Sequence, residues 1–342
     1  MVGRRLFVLS ALVVSASACA GREDAASTLP LTSASDAVDT RSSDVLVGDG
    51  SAPPASGLTT DPPESSTNAS STDAPTTIAS TTTSTSTTTT TIPATTTTVP
   101  GQLPAVEAAS FVVYDTSRNT MLAQFDADTP RPVGSLMKLL TAHVAYSAGN
   151  PTRIIPAPDG LLLSEDESNI AIQPGQELAR DLLIRAMLKA SANDAARMLA
   201  IDISGSEAAF AEQMNAAAAA LGLGNTRAAN ATGLDAEGQY STANDMTRLG
   251  VMLMNNPSFL LAVRDPTAEL NGQAFPNTND LIGTYPGADG IKTGHTTAAG
   301  WCVVASATRE NRRIVVTVLG APTEEARTAA ATALLDWGFA QP

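Results

Sequence analysis

The sequence predicts an α/β fold of the α+β type, with one antiparallel sheet flanked by helices and a helical region inserted into it. Three observations lead there. β-Branched and aromatic runs lie near both ends of residues 104–342, and alanine-rich helical stretches fill the interval. Residues 20–103 carry almost none of the apolar side chains that a core needs. Strands from both ends of one domain complete a single sheet only if those ends meet, which leaves the helices between them as an insertion.

The elements follow in chain order. Residues 1–19 read as an export signal: Arg4 and Arg5 give the positive start, Leu6 to Ser15 is a short apolar run, and Ala16-Ser17-Ala18 supplies small residues for cleavage. The run is shorter than the roughly 20 apolar residues of a membrane span. Residues 20–103 are rich in Ser, Thr, Pro, Ala and Asp, and Ile78 to Pro100 is nearly pure Thr and Ser. Burial cannot offset the ordering entropy of such a stretch, so a disordered tether is expected, with an extended reach of about 250 Å.

Residues 104–342 have the length of one domain with a sizeable core. Ser110 to Tyr114 predicts a strand, Asp115 to Asn119 a turn and Thr120 to Phe125 the return strand. Pro130 and Pro132 break the chain. A helix is expected from about Ser135 to Tyr146, stopped by Gly149-Asn150-Pro151. Further helices are expected over Leu178–Lys189, Asn193–Ile201, Glu207–Leu221 and Thr247–Met254, the third of these ended by Gly222. Gly300 to Thr308 and Arg313 to Leu319 read as a second hairpin across a polar turn. Thr323 then caps a last helix to about Trp337, with Glu324 and Glu325 at its positive end.

Composition narrows the chemistry. The chain of 342 residues carries 34 acidic and 20 basic side chains, a net charge of −14, which argues against a nucleic-acid surface. Only His143 and His295 are present, too few for a zinc site built on several histidines, so no metal or cofactor is expected. The two cysteines are Cys19 and Cys302, and the first lies in the targeting segment, so no disulfide is expected within the domain. Lysine is scarcest of the cations, with Lys138, Lys189 and Lys292 against 17 Arg.

Two of those lysines fall in short motifs. In Ser135-Leu136-Met137-Lys138, at a helix start, positions i and i+3 share a face, so hydroxyl and amine come within reach. A serine hydroxyl is a weak nucleophile and needs a base; lysine can be that base only if desolvation or a neighbouring cation, such as Lys292, lowers its pKa. Taken alone the spacing equally describes a capping Ser and an exposed Lys. Ser191-Ala192-Asn193 offers a hydroxyl and an amide between two helices, and alone reads as a cap. Lys292-Thr293-Gly294, entering a strand at 297–308, places a cation and a hydroxyl on a strand edge where glycine permits close approach. The three in this order form the set S-x-x-K, S-x-N, K-T-G.

On these residues the region 104–342 resembles the serine D-alanyl-D-alanine carboxypeptidases, the low-molecular-mass penicillin-binding proteins. Arg131 to Ala142 resembles the nucleophile segment, Ser191 to Ala196 the second motif, and Asp289 to Thr296 the third; Gly233-Leu234 and Tyr240-Ser241-Thr242-Ala243 resemble a middle stretch. The resemblance implies a DD-peptidase/β-lactamase-like fold. It implies that Ser135 is acylated with Lys138 as base, that Ser191 passes a proton to the departing amine, and that Asn193 holds the substrate amide. Lys292 and Thr293 would bind the terminal carboxylate beside Gly294, and the backbone N–H groups of Ser135 and His295 would form the oxyanion hole. The implied partners are peptidoglycan stem peptides and β-lactams as covalent inhibitors, with oligomeric state left open. Ala16-Ser17-Ala18-Cys19 resembles a lipobox, which makes Cys19 a lipidation candidate, and the expected location is the cell envelope, anchored through Cys19 or otherwise secreted into the wall. Gly134 departs mildly from the Ala usual before the nucleophile, and Ala228 and Ala231 stand where the family commonly has an aromatic and a Pro, so the loop near 225–234 is expected to differ.

Three rivals stay open: a class A-like β-lactamase, a DD-endopeptidase and a non-catalytic wall-binding lipoprotein. The first needs a Glu in an E-x-x-L-N loop after the second motif, and Glu269-Leu270-Asn271 has the wrong internal spacing. The intact motifs argue against the last; nothing in the sequence separates the endopeptidase.

Overall fold

The computed structural model describes residues 101–342, apart from 162, 163, 165, 166 and 271. The export signal, Cys19 and the tether up to residue 100 lie outside the described residues. The first strands are β1 (Ser110–Asp115) and β2 (Thr120–Phe125), an antiparallel hairpin. Asp115 fixes its turn: one carboxylate oxygen accepts from the N–H groups of Ser117 at 2.9 Å and Arg118 at 3.1 Å. A 3-10 turn (Gly134–Met137) runs directly into α1 (Lys138–Ser147).

The inserted region follows. β3 (Ile154–Pro156) and β4 (Glu177–Ala179) form a short ribbon, and α2 (Arg180–Lys189), α3 (Asn193–Ser204), α4 (Glu207–Ala220), α5 (Ala243–Leu253) and α6 (Pro257–Arg264) pack behind it. β5 (Thr267–Leu270) and β6 (Gln273–Pro276) make a second ribbon. The chain then returns to the main sheet as β7 (Ala288–Thr296), β8 (Gly300–Arg309) and β9 (Arg312–Ala321), and ends in α7 (Glu324–Ala340). The main sheet is antiparallel throughout, in the order β2-β1-β9-β8-β7. The expected closure by both ends of the domain is therefore the pairing of β1 with β9.

Strand periodicity separates the two cores. Val113, Val316 and Ala305 stand side by side across β1, β9 and β8, and belong to the cluster that packs on α7. One residue away, Val112, Thr317 and Val304 also align, and Val112 and Val304 pack into the helical insertion. Thr317, polar in this buried row, pairs its hydroxyl with that of Thr247 on α5 at 2.6 Å.

Several boundaries differ from expectation. α5 begins four residues early, because Thr242 caps it by accepting from Asp245 N at 3.1 Å. Leu178 and Ala179 belong to β4 rather than to the helix after it. α7 runs on to Ala340. The two ribbons and α6 were not expected from the apolar periodicity. Most important for the site, Lys292-Thr293-Gly294 does not enter a strand at 297–308. It lies inside its own edge strand, β7, and residues 297–299 are the turn to β8.

Candidate active site

The first motif sits where the 3-10 turn becomes α1. Lys138, the first residue of α1, reaches back one turn so that its Nζ lies 2.8 Å from Ser135 Oγ. The same nitrogen donates to the carbonyl of Thr232 at 2.6 Å. Leu136, Met137, Leu139 and Leu140 are sealed from solvent around the lysine, itself fully buried, while Ser135 stays half-exposed. Gly134 adopts φ +55°, and a Cβ there would stand 3.0 Å from His295 N. The nucleophile turn thus lies directly against β7.

The second motif occupies the tight connection between α2 and α3. Ser191 is buried and holds φ +58°, a left-handed conformation uncommon for a residue with a Cβ. Asn193 opens α3; its N–H donates to Ser168 O at 2.8 Å, and its side-chain Nδ2 donates to Glu167 Oε2 at 2.9 Å. Glu167 in turn receives Arg197 Nη1 at 2.9 Å on the same oxygen and Arg197 Nη2 at 3.2 Å on Oε1. Asp194 holds the approaching segment, accepting from Ile170 N at 3.0 Å and Ile172 N at 3.1 Å.

The third motif lies along β7. Gly294 packs so closely on the nucleophile turn that a Cβ would meet Val133 O at 2.7 Å, Leu136 N at 2.9 Å and Ser135 N at 3.1 Å. Lys292 is buried and donates to Thr293 O at 2.9 Å. Thr293 Oγ1 lies 2.7 Å from Thr278 Oγ1, and Thr278 N–H donates to Lys189 O at 3.0 Å. That chain ties β7 to the end of α2, just before Ser191. His295 is exposed, its ring stacked on Trp301 at 4.0 Å, so its backbone rather than its imidazole faces the nucleophile turn. His143 is a half-buried residue of α1.

Both lysine amines are buried, which disfavours their charged forms, and the charge of Lys292 acts on Lys138 as well. Burial holds the Lys138 pKa well below the ordinary lysine value, and the Lys292 charge pushes it further down; Glu167 opposes this and Arg197 adds to it. Burial brings Lys292 down to about 7, with the cation of Arg327 as the second cause. Arg327 reaches in from α7, buried and paired with Asp280 at 2.7 Å and Glu324 at 3.1 Å. This arrangement disfavours the charged form of Lys138 beside the Ser135 hydroxyl, while Lys292 is left to titrate at about 7.

Sequence reasoning named the three motifs and missed what holds them. The Thr232 carbonyl is aimed at Lys138 by Asn230, whose Oδ1 accepts from Thr232 N at 3.1 Å and Gly233 N at 2.8 Å; the turn-forming Asn-Ala-Thr-Gly run was the available signal. The loop with Ala228 and Ala231 is firmly anchored: both are buried, Ala228 is bonded at N and O by Asn215, and Ala231 O accepts from Thr141 at 2.7 Å. Glu167, Arg197, Thr278 and Arg327 had no local signal, since each acts through a residue distant in sequence. A cleft of about 1070 Å³ between residues 104–107 and α7 contains none of the motif residues.

An antiparallel sheet with a helical insertion, and a Ser–Lys pair seated against its edge strand, define the DD-peptidase class of fold. Residues 94–323 match the peptidase S11 model, described as D-alanyl-D-alanine carboxypeptidase, and the chain belongs to that family. It is 35% identical over 253 residues to the D-alanyl-D-alanine carboxypeptidase DacA of Escherichia coli, covering 70% of this chain and 62% of that protein. The chain thus spans under two thirds of that relative's length. Among solved structures, penicillin-binding protein 6B of Escherichia coli superposes with a TM-score of 0.66 at 31% identity, over 70% of this chain and 80% of the other. Penicillin-binding protein D2 of Listeria monocytogenes, in its ampicillin-bound form, superposes with a TM-score of 0.62 at 32% identity, over 68% and 98%.

Proposed function

We propose that this chain is a serine D-alanyl-D-alanine carboxypeptidase that removes the terminal D-Ala from peptidoglycan stem pentapeptides. The observation that carries the reading is a hydroxyl 2.8 Å from a fully buried amine whose charged form is disfavoured. In this reading uncharged Lys138 takes the Ser135 proton as Oγ attacks the carbonyl carbon of the penultimate D-Ala. The oxyanion falls between the N–H groups of Ser135 and His295, on two backbones already in contact. The C–N bond breaks, and the proton passes from Lys138 through the Ser191 hydroxyl to the leaving D-Ala amine. Water then attacks the ester carbonyl and gives its proton to Lys138; the bond between the acyl carbon and Oγ breaks, and Lys138 returns the proton to Ser135. Lys292 and Thr293 take the terminal carboxylate. The domain from 104 carries 25 acids against 16 bases, so this anion is drawn by local charge and not by the net field.

The same hydroxyl would be acylated by penicillins; the ampicillin-bound form of the Listeria relative supports this. Digestion of purified muropeptides followed by mass spectrometry tests the reaction. Loss of one D-Ala from pentapeptides is expected, and absent with Ser135→Ala; cleavage of cross-linked dimers alone would instead indicate the endopeptidase. We further propose export and anchoring at the outer face of the membrane through Cys19, supported by the Ala16-Ser17-Ala18-Cys19 sequence. Cys19→Ala should shift the protein from the membrane to the soluble fraction, and an unchanged distribution would refute the anchor.

A further inference from the structure

Asn193 is 3% exposed, and its side-chain amide is bonded on one side only. Nδ2 donates to Glu167, while Oδ1 is buried with no hydrogen-bond partner among the described residues. An amide can turn over and exchange its oxygen for its nitrogen at little cost in shape. Whether it does depends on what faces it. Glu167 is ionised: Arg197 grips both of its oxygens, and the Ser164 N–H donates to it at 3.2 Å. These bonds outweigh the opposing effect of burial and keep its pKa below the ordinary glutamate value. An ionised carboxylate only accepts, so it tolerates the amide nitrogen and repels the amide oxygen.

We propose that Glu167, held by Arg197, is a positioning residue that locks the Asn193 amide in one of its two orientations and so fixes which of its groups the backbone of a bound stem peptide can meet. The proposal rests on the carboxypeptidase reading and adds to it the device that makes Asn193 a fixed recognition group. Glu167 and Arg197 belong to different segments, the connection before β4 and the helix α3, and neither lies within the three motifs. The pair is not suited to be a base in its own right. A carboxylate bound by a guanidinium and an amide is stabilised as the anion, and an acidic anion is a poor acceptor of a proton from water.

Glu167→Gln tests this. Glutamine keeps the shape but can donate as well as accept, so both Asn193 orientations become permitted. The measurements are the second-order rate of Ser135 acylation by a fluorescent penicillin and kcat and KM for diacetyl-L-Lys-D-Ala-D-Ala. We expect acylation to fall about tenfold or more, with the peptide defect mainly in KM. Asn193→Ala should lower acylation similarly, and Glu167→Gln should have little further effect in an Asn193→Ala background, because both act through one amide. Additive losses would overturn the proposal, as would an unaltered rate in Glu167→Gln. The variant leaves the Arg197 guanidinium without its bidentate partner and could lose stability for that reason alone. Glu167→Gln/Arg197→Gln removes both charges: thermal stability should recover while acylation stays low. Recovery of acylation together with stability would show that the pair only supports the fold. A wild-type protein that forms no adduct would instead remove the carboxypeptidase reading itself.

Discussion

Lys138 and Lys292 have the same side chain, and the proposed reaction asks opposite things of them. One has to be free of its proton to accept another from Ser135, and the other has to keep its proton to hold a carboxylate. Their surroundings divide these tasks. Lys138 is pushed down by burial and by the charge of Lys292, which favours its uncharged form. Burial and the charge of Arg327 bring Lys292 down to about 7. The sign for catalysis follows: kcat/KM rises with pH as Lys138 deprotonates and falls again as Lys292 deprotonates, with the falling limb of the free enzyme near 7. Lys292→Arg should test the assignment, because a guanidinium stays charged throughout the accessible range. We expect that variant to keep the rising limb and to move the falling limb to higher pH, whatever its maximal rate. A falling limb left near 7 would mean that another group causes it.

At the scale of elements, the site is a contact between a helix start and a strand edge, made possible by three glycines. Gly294 brings β7 against the nucleophile turn, and Gly134 meets it from the other side. Gly233, with φ +83°, lets the 225–234 loop pass so near that a Cβ would lie 2.1 Å from Gly134 O. Backbone atoms cannot rotate aside, so a methyl group must separate the elements. Gly294→Ala should reduce penicillin acylation about a hundredfold or more by displacing both proposed oxyanion donors, an effect on the order of that seen when one such donor is removed. Acylation within a fewfold of wild type would show that the contact is not needed. The contact also explains what could be read from the sequence alone. The hairpin of β1 and β2 and the caps of α4 and α7 are written in local residues, with Ser206 and Thr323 in cap positions. Lys292-Thr293-Gly294 was legible as chemistry but not as a strand interior, since glycines at 290 and 294 weaken a β pattern. Its place in β7 is imposed by pairing with β8, as in Lys292 opposite Val304 and Gly294 opposite Cys302.

Across the molecule, the sheet divides two cores with different duties. The 3-10 turn, α1 and the helical insertion on one face carry Ser135, Lys138, Ser191 and Asn193, while α7 covers the other face with Ala330, Ala331, Leu334 and Leu335. α7 meets the chemistry at its first turn, through Arg327, whose guanidinium lies 5.6 Å from the Trp301 ring and whose charge depresses Lys292. Leu334 stands two turns further on and is sealed from solvent. Its loss should therefore weaken the fold without altering the site. Leu334→Ala is expected to cost about 2–5 kcal/mol, from lost burial and the cavity left behind. For a domain of this size each kcal/mol shifts Tm by roughly 2–4 °C. A scanning melt should then show a large drop in Tm, while penicillin acylation per folded molecule at 25 °C stays within about twofold of wild type. A loss of acylation larger than the unfolded fraction explains would mean that the α7 face reaches the site through the sheet, and that stability and chemistry are not separable in this fold.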